Sequence, residues 1–341
     1  MKALRYLAPN LVKTEDIEQP VCAEGEALIR VHSAGICGTD MAIYTGKHPR
    51  AKAPLIMGHE FAGEIAAIHA SEANSDLTVG DRVTVYPLLA CGQCWACKNG
   101  FGHVCRDLKL IGIDRDGAFA EYVNVPLDLI LKYPDDVTYD QGALIEPLAV
   151  GVHALEMAGK EDWRTAVVIG CGPIGLLVAL CLQQTAIEAL VVSDINIHRL
   201  KRAQKLGFET FNSAEGKLVD WVNERTKQEG ADIVFECAGS DAAALQMCDL
   251  LRPRGKVIMV SIHKEPHHVN LREVSFKEIT MIGTRVYTRT SFQKALHMIK
   301  DLPLDELISH KLDINNAASG FELMQKPEDV CKVIIDFWKS I

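Results

Sequence analysis

Residues 166–194 read AVVIGCGPIGLLVALCLQQTAIEALVVSD, and this stretch decides the fold. The β-branched run 166–169 leads into Gly170-Cys171-Gly172-Pro173-Ile174-Gly175 and then into the helix-forming run 176–184. That order predicts strand, tight turn and helix. At G-x-G-x-x-G spacing the first glycine makes the turn, the second admits a pyrophosphate to the backbone, and the third lets helix pack on strand. The helix N-terminus then faces the anion. A second apolar strand, 189–192, ends at Ser193-Asp194, and Asp194 lies 19 residues beyond Gly175, where a carboxylate accepts hydrogen bonds from an adenosine ribose. Its charge would repel a 2′-phosphate, so NAD is expected rather than NADP. Gly170, Gly172, Pro173, Ile174, Gly175, Asp194 and Arg199 form the candidate cofactor set. A glycine-rich turn alone joins many strands to helices without a ligand. The strand, helix, strand, Asp context gives this one its weight. Residues 165–187 carry no charge, and a bilayer span needs ~20 apolar residues. Three glycines and Pro173 in the middle argue against a span, and no membrane partner is expected.

With 341 residues, 48% apolar and 24% charged, the chain reads as globular. One core rarely serves more than about 250–300 residues, so two or so domains are expected. A formal charge of −9 and a pI near 5.8 offer no overall attraction to phosphate backbones, so nucleic acid is not an expected partner. The opening MKALRYLAPN lacks an apolar signal core and an Arg/Ser-rich transit pattern, which makes the cytoplasm the expected location. Four of eleven cysteines fall within 91–105, a clustering that in a reducing compartment points to metal more than to disulfides.

In the first third, 27–32 alternates as a half-buried strand and runs into Ser33-Ala34-Gly35-Ile36-Cys37-Gly38-Thr39-Asp40. An isolated Cys37 would read as a small buried hydrophobe. Downstream, His59 and Glu60 open the strand 61–68. A catalytic zinc ion takes three protein ligands from thiolate, imidazole and carboxylate, leaving one position open. Cys37, His59 and Glu60 supply one of each kind, and Asp40 is a candidate acceptor for the His59 ring N–H, fixing its tautomer. By spacing alone, a surface His-Glu pair reads equally well. Cys91-x2-Cys94-x2-Cys97-x7-Cys105 needs less support, because four closely spaced thiolates close a tetrahedral zinc site that holds a loop, here about 88–108. An iron–sulfur cluster also uses four cysteines, but no second redox feature accompanies these.

Residues 117–125 read as another strand, and from Asp140 the chain turns helical. Glu146-Pro147 interrupts the apolar ALIEPLAVGVHAL; an unpaired buried charge is costly, so Glu146 is either exposed or committed to a partner, and a metal-site role is favoured. Strands at 232–237, 256–262 and 279–284 alternate with helices at 197–206, 217–229 and 241–251, which predicts a doubly wound parallel sheet with right-handed crossovers. Ligands lie beyond the carboxyl ends of such strands. That places Cys237, Ala238, Val260, Ser261, Ile262, Thr284 and Arg285 near the nicotinamide half of the cofactor. Helices at 291–302 and 316–325 and a strand at 332–337 close the chain.

I-C-G-T-D (36–40), G-H-E (58–60), V-G-D-R-V (79–83), the four-cysteine lobe, L-I-E-P-L (144–148) and G-C-G-P-I-G (170–175) together resemble the zinc-dependent medium-chain dehydrogenase/reductase family. The nearest likeness is to its sorbitol, threonine and sugar-acid dehydrogenases, and it covers essentially the whole chain in the same order. The resemblance implies an α/β protein: a GroES-like, mainly β catalytic domain (1–147) with a C-terminal return (288–341), around a Rossmann domain (148–287), with the active site in the cleft. It implies NAD and two zinc ions, one catalytic and one structural, in a homodimer or homotetramer. Cys37 and His59 match catalytic zinc ligands; Glu60 and Glu146 match two carboxylates, one binding directly and the other through water or by exchange. Cysteine stands at the Glu146 position in the alcohol dehydrogenase branch, so glutamate points to polyol-type enzymes. The implied chemistry is hydride transfer to nicotinamide C4 from a secondary alcohol made acidic by zinc, with Thr39 taking the hydroxyl proton. Relatives often carry histidine three residues beyond that threonine; here it is Ala42, which leaves the exit of the relay open, with water, Tyr44 and His48 as candidates.

For the substrate, the loop Lys47-His48-Pro49-Arg50-Ala51-Lys52 and Arg285 are basic groups in an acidic protein. Arginine grips a carboxylate through two parallel hydrogen bonds. Arg285, His48 and Arg50 are therefore candidate contacts for a sugar acid such as a hexonate, oxidised for example at C5, with a solvated surface run the alternative for the loop. A neutral hexitol, a phosphorylated polyol or a threonine-type substrate comes next. Two readings from other classes are a zinc-free quinone-reductase-like protein, distinguished by a metal count, and a zinc-ribbon interaction module, distinguished by a gel shift.

Overall fold

A computed structural model describes residues 1–69, 76–159, 162–326 and 329–338. The charge-free run resolves into strand Thr165–Ile169 and helix Pro173–Gln183, followed by strand Ala189–Asp194. Helix residues 175–182 are buried on every side, which is why this segment carries no polar face. The chain folds into two compact units, one spanning Pro147–Lys294 and the other formed by Met1–Glu146 with Ala295–Ile341.

In the unit Pro147–Lys294, six strands run in the spatial order Glu209–Asn212, Ala189–Asp194, Thr165–Ile169, Ala231–Glu236, Leu251–Met259, Thr280–Gly283. All neighbours are parallel, and the chain order 3-2-1-4-5-6 is that of a Rossmann sheet. Both faces of such a sheet are covered, so its strands are apolar throughout, as in Ala166, Val167 and Val168, each 0% exposed. The strand expected at 256–262 instead runs Leu251–Met259. It starts early because Leu251 pairs with Ala231 across a bulge, and stops early because the Val260 and Ser261 N–H groups turn to the Glu236 carbonyl. Ile262 is left outside it, 81% exposed. Helices expected at 217–229 and 241–251 are shorter, Leu218–Arg225 and Asp241–Gln246; Lys227 and Gln228 take positive φ after the first. The polar edge strand Glu209–Asn212 had no sequence signal.

The other unit is mainly β. Strand Glu26–Ile36 lies at its centre, antiparallel to Glu60–His69 on one side. Tyr122–Pro126 pairs with its first half and Lys332–Asp336 with its second half on the other side. The strand expected from 117 begins only at Tyr122, because Gly117, Ala118 and Phe119 donate to the carbonyls of Ile56, Gly58 and Met57. Lys332–Asp336 also pairs, in parallel, with Ile308–Asp313. Thus the C-terminal segment completes the sheet begun by the first hundred residues. Gly35 faces Glu60 on one neighbour and Ile334 on the other. Among the described residues no helix is long and apolar enough to cross a membrane.

Candidate active site and metal centres

Cys37 ends the central strand and caps helix Gly38–Tyr44, and its backbone N–H donates to Asp40 Oδ2 at 2.9 Å. His59 and Glu60 arrive at the start of the neighbouring strand, 4% and 1% exposed. The ligand atoms of Cys37, His59 and Glu60 all lie within 4.8 Å of one another. His59 Nδ1 is 3.7 Å from Asp40 Oδ1, and both atoms are buried without a hydrogen-bond partner. A thiol, an imidazole and a carboxylate converging in the protein interior are the donor types a catalytic zinc ion takes. These residues therefore fit zinc. Burial works against charge on the His59 ring, but Asp40, Cys37 and Glu146 outweigh it and hold its pKa well above the ordinary value. Burial likewise raises the Asp40 carboxyl, with His59 and the Cys37 N–H pulling the other way.

Glu146, 6% exposed, sits on helix Tyr139–Ala158 and acts electrostatically on His59 and on Lys332. It is not one of the three groups within 4.8 Å. Lys332 is a residue the sequence reading missed. Its Nζ donates to Glu60 Oε1 at 2.8 Å and Oε2 at 2.6 Å, with both side chains buried. Breaking such a pair by removing one partner costs about 3–5 kcal/mol. A lysine opening the apolar run VII of strand Lys332–Asp336 was its only signal in sequence.

The four lobe cysteines converge. Cys94 Sγ is 3.5 Å from Cys97 Sγ and 3.8 Å from Cys105 Sγ, and Cys91 Sγ is 3.9 Å from Cys97 Sγ. Four sulfurs ~2.3 Å from a tetrahedral zinc ion stand about 3.8 Å apart. No disulfide joins them. Backbone N–H groups of Cys97 and Arg106 pull the Cys94 thiol down to about 6, while partial burial and the Cys94 and Cys105 thiols push Cys97 up to about 12. Four adjacent thiols cannot all ionise unaided, and a dication removes that conflict.

At the head of the Rossmann sheet, Gly170 takes φ +100°, and a Cβ there would lie 2.8 Å from the Ala238 nitrogen. A Cβ on Gly175 would lie 1.8 Å from the Gly170 carbonyl oxygen, whereas one on Gly172 meets nothing within 4 Å. Gly172 thus faces open space at the start of helix Pro173–Gln183, a cradle that fits a dinucleotide pyrophosphate. Asp194 Oδ2 accepts the Cys171 N–H at 2.8 Å and Oδ1 the Asn196 N–H at 2.9 Å, and Arg199 stands 3.7 Å away. Cys237, Ala238, Val260 and Ser261 gather around a second missed residue, Glu236, which is fully buried at its strand end. Its carboxylate accepts the Ala238 and Gly239 N–H groups at 2.8 and 2.7 Å, bonds Ser261 Oγ, and lies 3.1 Å from His263. Thr284 donates to the Met259 carbonyl, and Arg285 is exposed with no ion pair among the described residues.

Thr39 lies half-buried on the helix that Cys37 caps. Tyr44 packs into the core 5.0 Å from the Phe321 ring. His48 Nδ1 accepts the Ala51 N–H at 3.1 Å, and burial together with the neighbouring Arg50 charge holds its ring below the ordinary imidazole value. Arg50 is committed elsewhere, to Asp114 at 3.2 Å and to the Leu108 carbonyl.

A three-donor metal site, a separate four-thiolate site and a Rossmann sheet define the class of zinc-dependent dehydrogenases. Residues 23–135 match the alcohol dehydrogenase GroES-like domain, and residues 173–301 match the zinc-binding dehydrogenase domain. The chain is 36% identical over 315 residues to 2-dehydro-3-deoxy-L-galactonate 5-dehydrogenase of Pseudoalteromonas atlantica, with 92% of each chain covered. It is 32% identical over 337 residues to L-threonine 3-dehydrogenase of Idiomarina loihiensis, covering 95% of this chain and 96% of that one. A Sinorhizobium meliloti protein described as a zinc-binding dehydrogenase and bound to NADP superposes with a TM-score of 0.91 at 27% identity, covering 98% of both chains. The chain belongs to the zinc-dependent medium-chain alcohol dehydrogenase family, and is an oxidoreductase of its alcohol and polyol dehydrogenase kind.

Proposed function

We propose that the chain uses NAD to oxidise a secondary alcohol of a sugar acid such as a hexonate. The observation that carries this reading is the convergence of Cys37, His59 and Glu60 within 4.8 Å. Zinc held by Cys37, His59 and one of the carboxylates Glu60 and Glu146 supplies the Lewis acidity that makes a substrate hydroxyl acidic, and the dinucleotide supplies the hydride acceptor. Asp40 faces Nδ1 at 3.7 Å, where it is placed to orient the His59 ring, which would leave Nε2 for the metal. Thr39 takes the hydroxyl proton. Ala42 cannot pass it on, Tyr44 is packed in the core, and the His48 Nδ1 lone pair is taken up by the Ala51 N–H, so water carries the proton onward.

Asp194 supports NAD, because its carboxylate can accept from ribose hydroxyls and repels a 2′-phosphate; Arg199 at 3.7 Å moderates that repulsion. For the substrate, Arg50 is held by Asp114, so Arg285 is assigned the carboxylate. The sugar-acid relative supports this, and the threonine dehydrogenase relative keeps an aminohydroxy acid as the second reading. Eleven cysteines outside any disulfide, five of them assigned to zinc, suit the cytoplasm, and the same reading takes the working form as a homodimer or homotetramer.

The test is a screen of hexonates, hexitols and aminohydroxy acids with NAD and with NADP, following absorbance of the reduced nicotinamide. Arg285→Ala should lower kcat/KM on hexonates by roughly 10–100-fold, the worth of a hydrogen-bonded charge, and leave hexitols unchanged. Unaltered hexonate turnover in that variant refutes the carboxylate contact. Preference for NADP refutes the role given to Asp194.

A further inference from the structure

Glu60 stands in the metal-ligand group and is gripped through both oxygens by Lys332, a buried cation from the far end of the chain. The two meet across Gly35. An added Cβ at that glycine would fall 2.3 Å from Glu60 Oε2 and 3.4 Å from the Lys332 Cδ, so the central strand has no side chain where the pair crosses it. Because Glu60 lies within 4.8 Å of the Cys37 and His59 donor atoms, the ammonium stands one carboxylate away from the metal-ligand group. Such a cation does two things to a zinc ion at Cys37 and His59. It repels the dication, and it occupies lone pairs of the carboxylate that would otherwise close on the metal.

We propose that Lys332 is a positioning residue that competes with the catalytic zinc for Glu60, making Glu60 the exchangeable carboxylate and keeping a coordination position available to the substrate. The inference rests on the zinc dehydrogenase reading above. It predicts an unusual sign. Removing a residue that merely supports a metal site weakens metal binding, typically 10–100-fold. Removing Lys332 strengthens it, because the ligand set gains net negative charge and Glu60 is released to the metal.

The test uses the full-length zinc-loaded protein challenged with a chromogenic chelator. Wild type should release zinc in two phases, and Cys37→Ala identifies the catalytic phase by abolishing it. Lys332→Met is expected to slow that phase roughly tenfold, by analogy with the effect of such neighbouring groups on metal affinity, while lowering kcat. With cobalt in the catalytic site, its visible bands should weaken as the coordination number rises. Glu60→Gln added to Lys332→Met should return both readouts toward wild type, and Lys332→Arg should behave as wild type. Should Lys332→Met fail to fold, Lys332→Gln, which keeps a donor without the charge, carries the same expectation. Faster or unchanged catalytic zinc release in the folded charge-neutral variant overturns the role of Lys332. A wild type with no Cys37-dependent phase overturns the zinc reading instead.

Discussion

Asp40 Oδ1 and His59 Nδ1 face each other at 3.7 Å in the protein interior, and neither atom has a hydrogen-bond partner among the described residues. The carboxylate is the group placed to orient that imidazole, so its loss should be felt at the metal. Asp40→Asn is expected to weaken the catalytic zinc by roughly 10–100-fold. Zinc content after dialysis against a weak chelator measures this, and full retention of both ions would contradict it.

The glycines of the dinucleotide loop separate folding from binding. Gly172→Ala places its methyl in open space, so thermal stability should match wild type while affinity for the dinucleotide falls at least ~10-fold, about 1.4 kcal/mol. Gly175→Ala drives a methyl into the Gly170 carbonyl and should cost ~3 kcal/mol or more. Calorimetry and cofactor titration on the pair check both. Equal behaviour of the two variants would show that the loop is only a structural turn.

In the cysteine lobe, Cys94→Ser removes one of four thiolates from a site with little apolar core around it. One zinc per chain should be lost and the thermal transition lowered, with the second zinc kept. Metal analysis with differential scanning calorimetry decides it.

A pH dependence follows from Asp232. Burial pushes its carboxyl up, but Arg252 at 2.5 Å and the Thr165 and Arg164 N–H groups at 2.8 and 2.9 Å outweigh burial and hold it below the ordinary 3.8. A depressed carboxyl contributes stability that is complete above the unfolded value and is lost as pH falls through the lower folded one. Wild type should exceed Asp232→Asn by about 2 kcal/mol at neutral pH, and the gap should close below pH 3.8. Urea unfolding across pH 7 to 3 follows it. A gap that widens in acid would have the wrong sign.

Much of the fold and of the candidate site was legible because its signals are local. The turn at Gly170, the carboxylate at Asp194 and the cysteines 91–105 each sit within one short stretch, where spacing alone states the geometry. Strand ends were less legible, because they depend on partners: Met259 ends its strand only because residues 260 and 261 bond the Glu236 carbonyl. The Glu60–Lys332 pair was invisible, since its members stand 272 positions apart and nothing local marks either as the other's partner. Arg50 shows the converse. Its basic neighbourhood reads as a substrate contact, yet Asp114, 64 positions away, holds the guanidinium.

In the proposed reading one zinc ion at Cys37 and His59 makes this chain a dehydrogenase, and a second is held by the four lobe cysteines. Zinc per chain and dinucleotide-dependent alcohol oxidation, measured together on wild type and Cys37→Ala, test it most directly. Two zinc ions in wild type, one in the variant, and loss of oxidation with dinucleotide affinity retained are the predicted results. A wild type holding zinc only in its cysteine lobe, or a Cys37→Ala variant that still oxidises the alcohol, would contradict it.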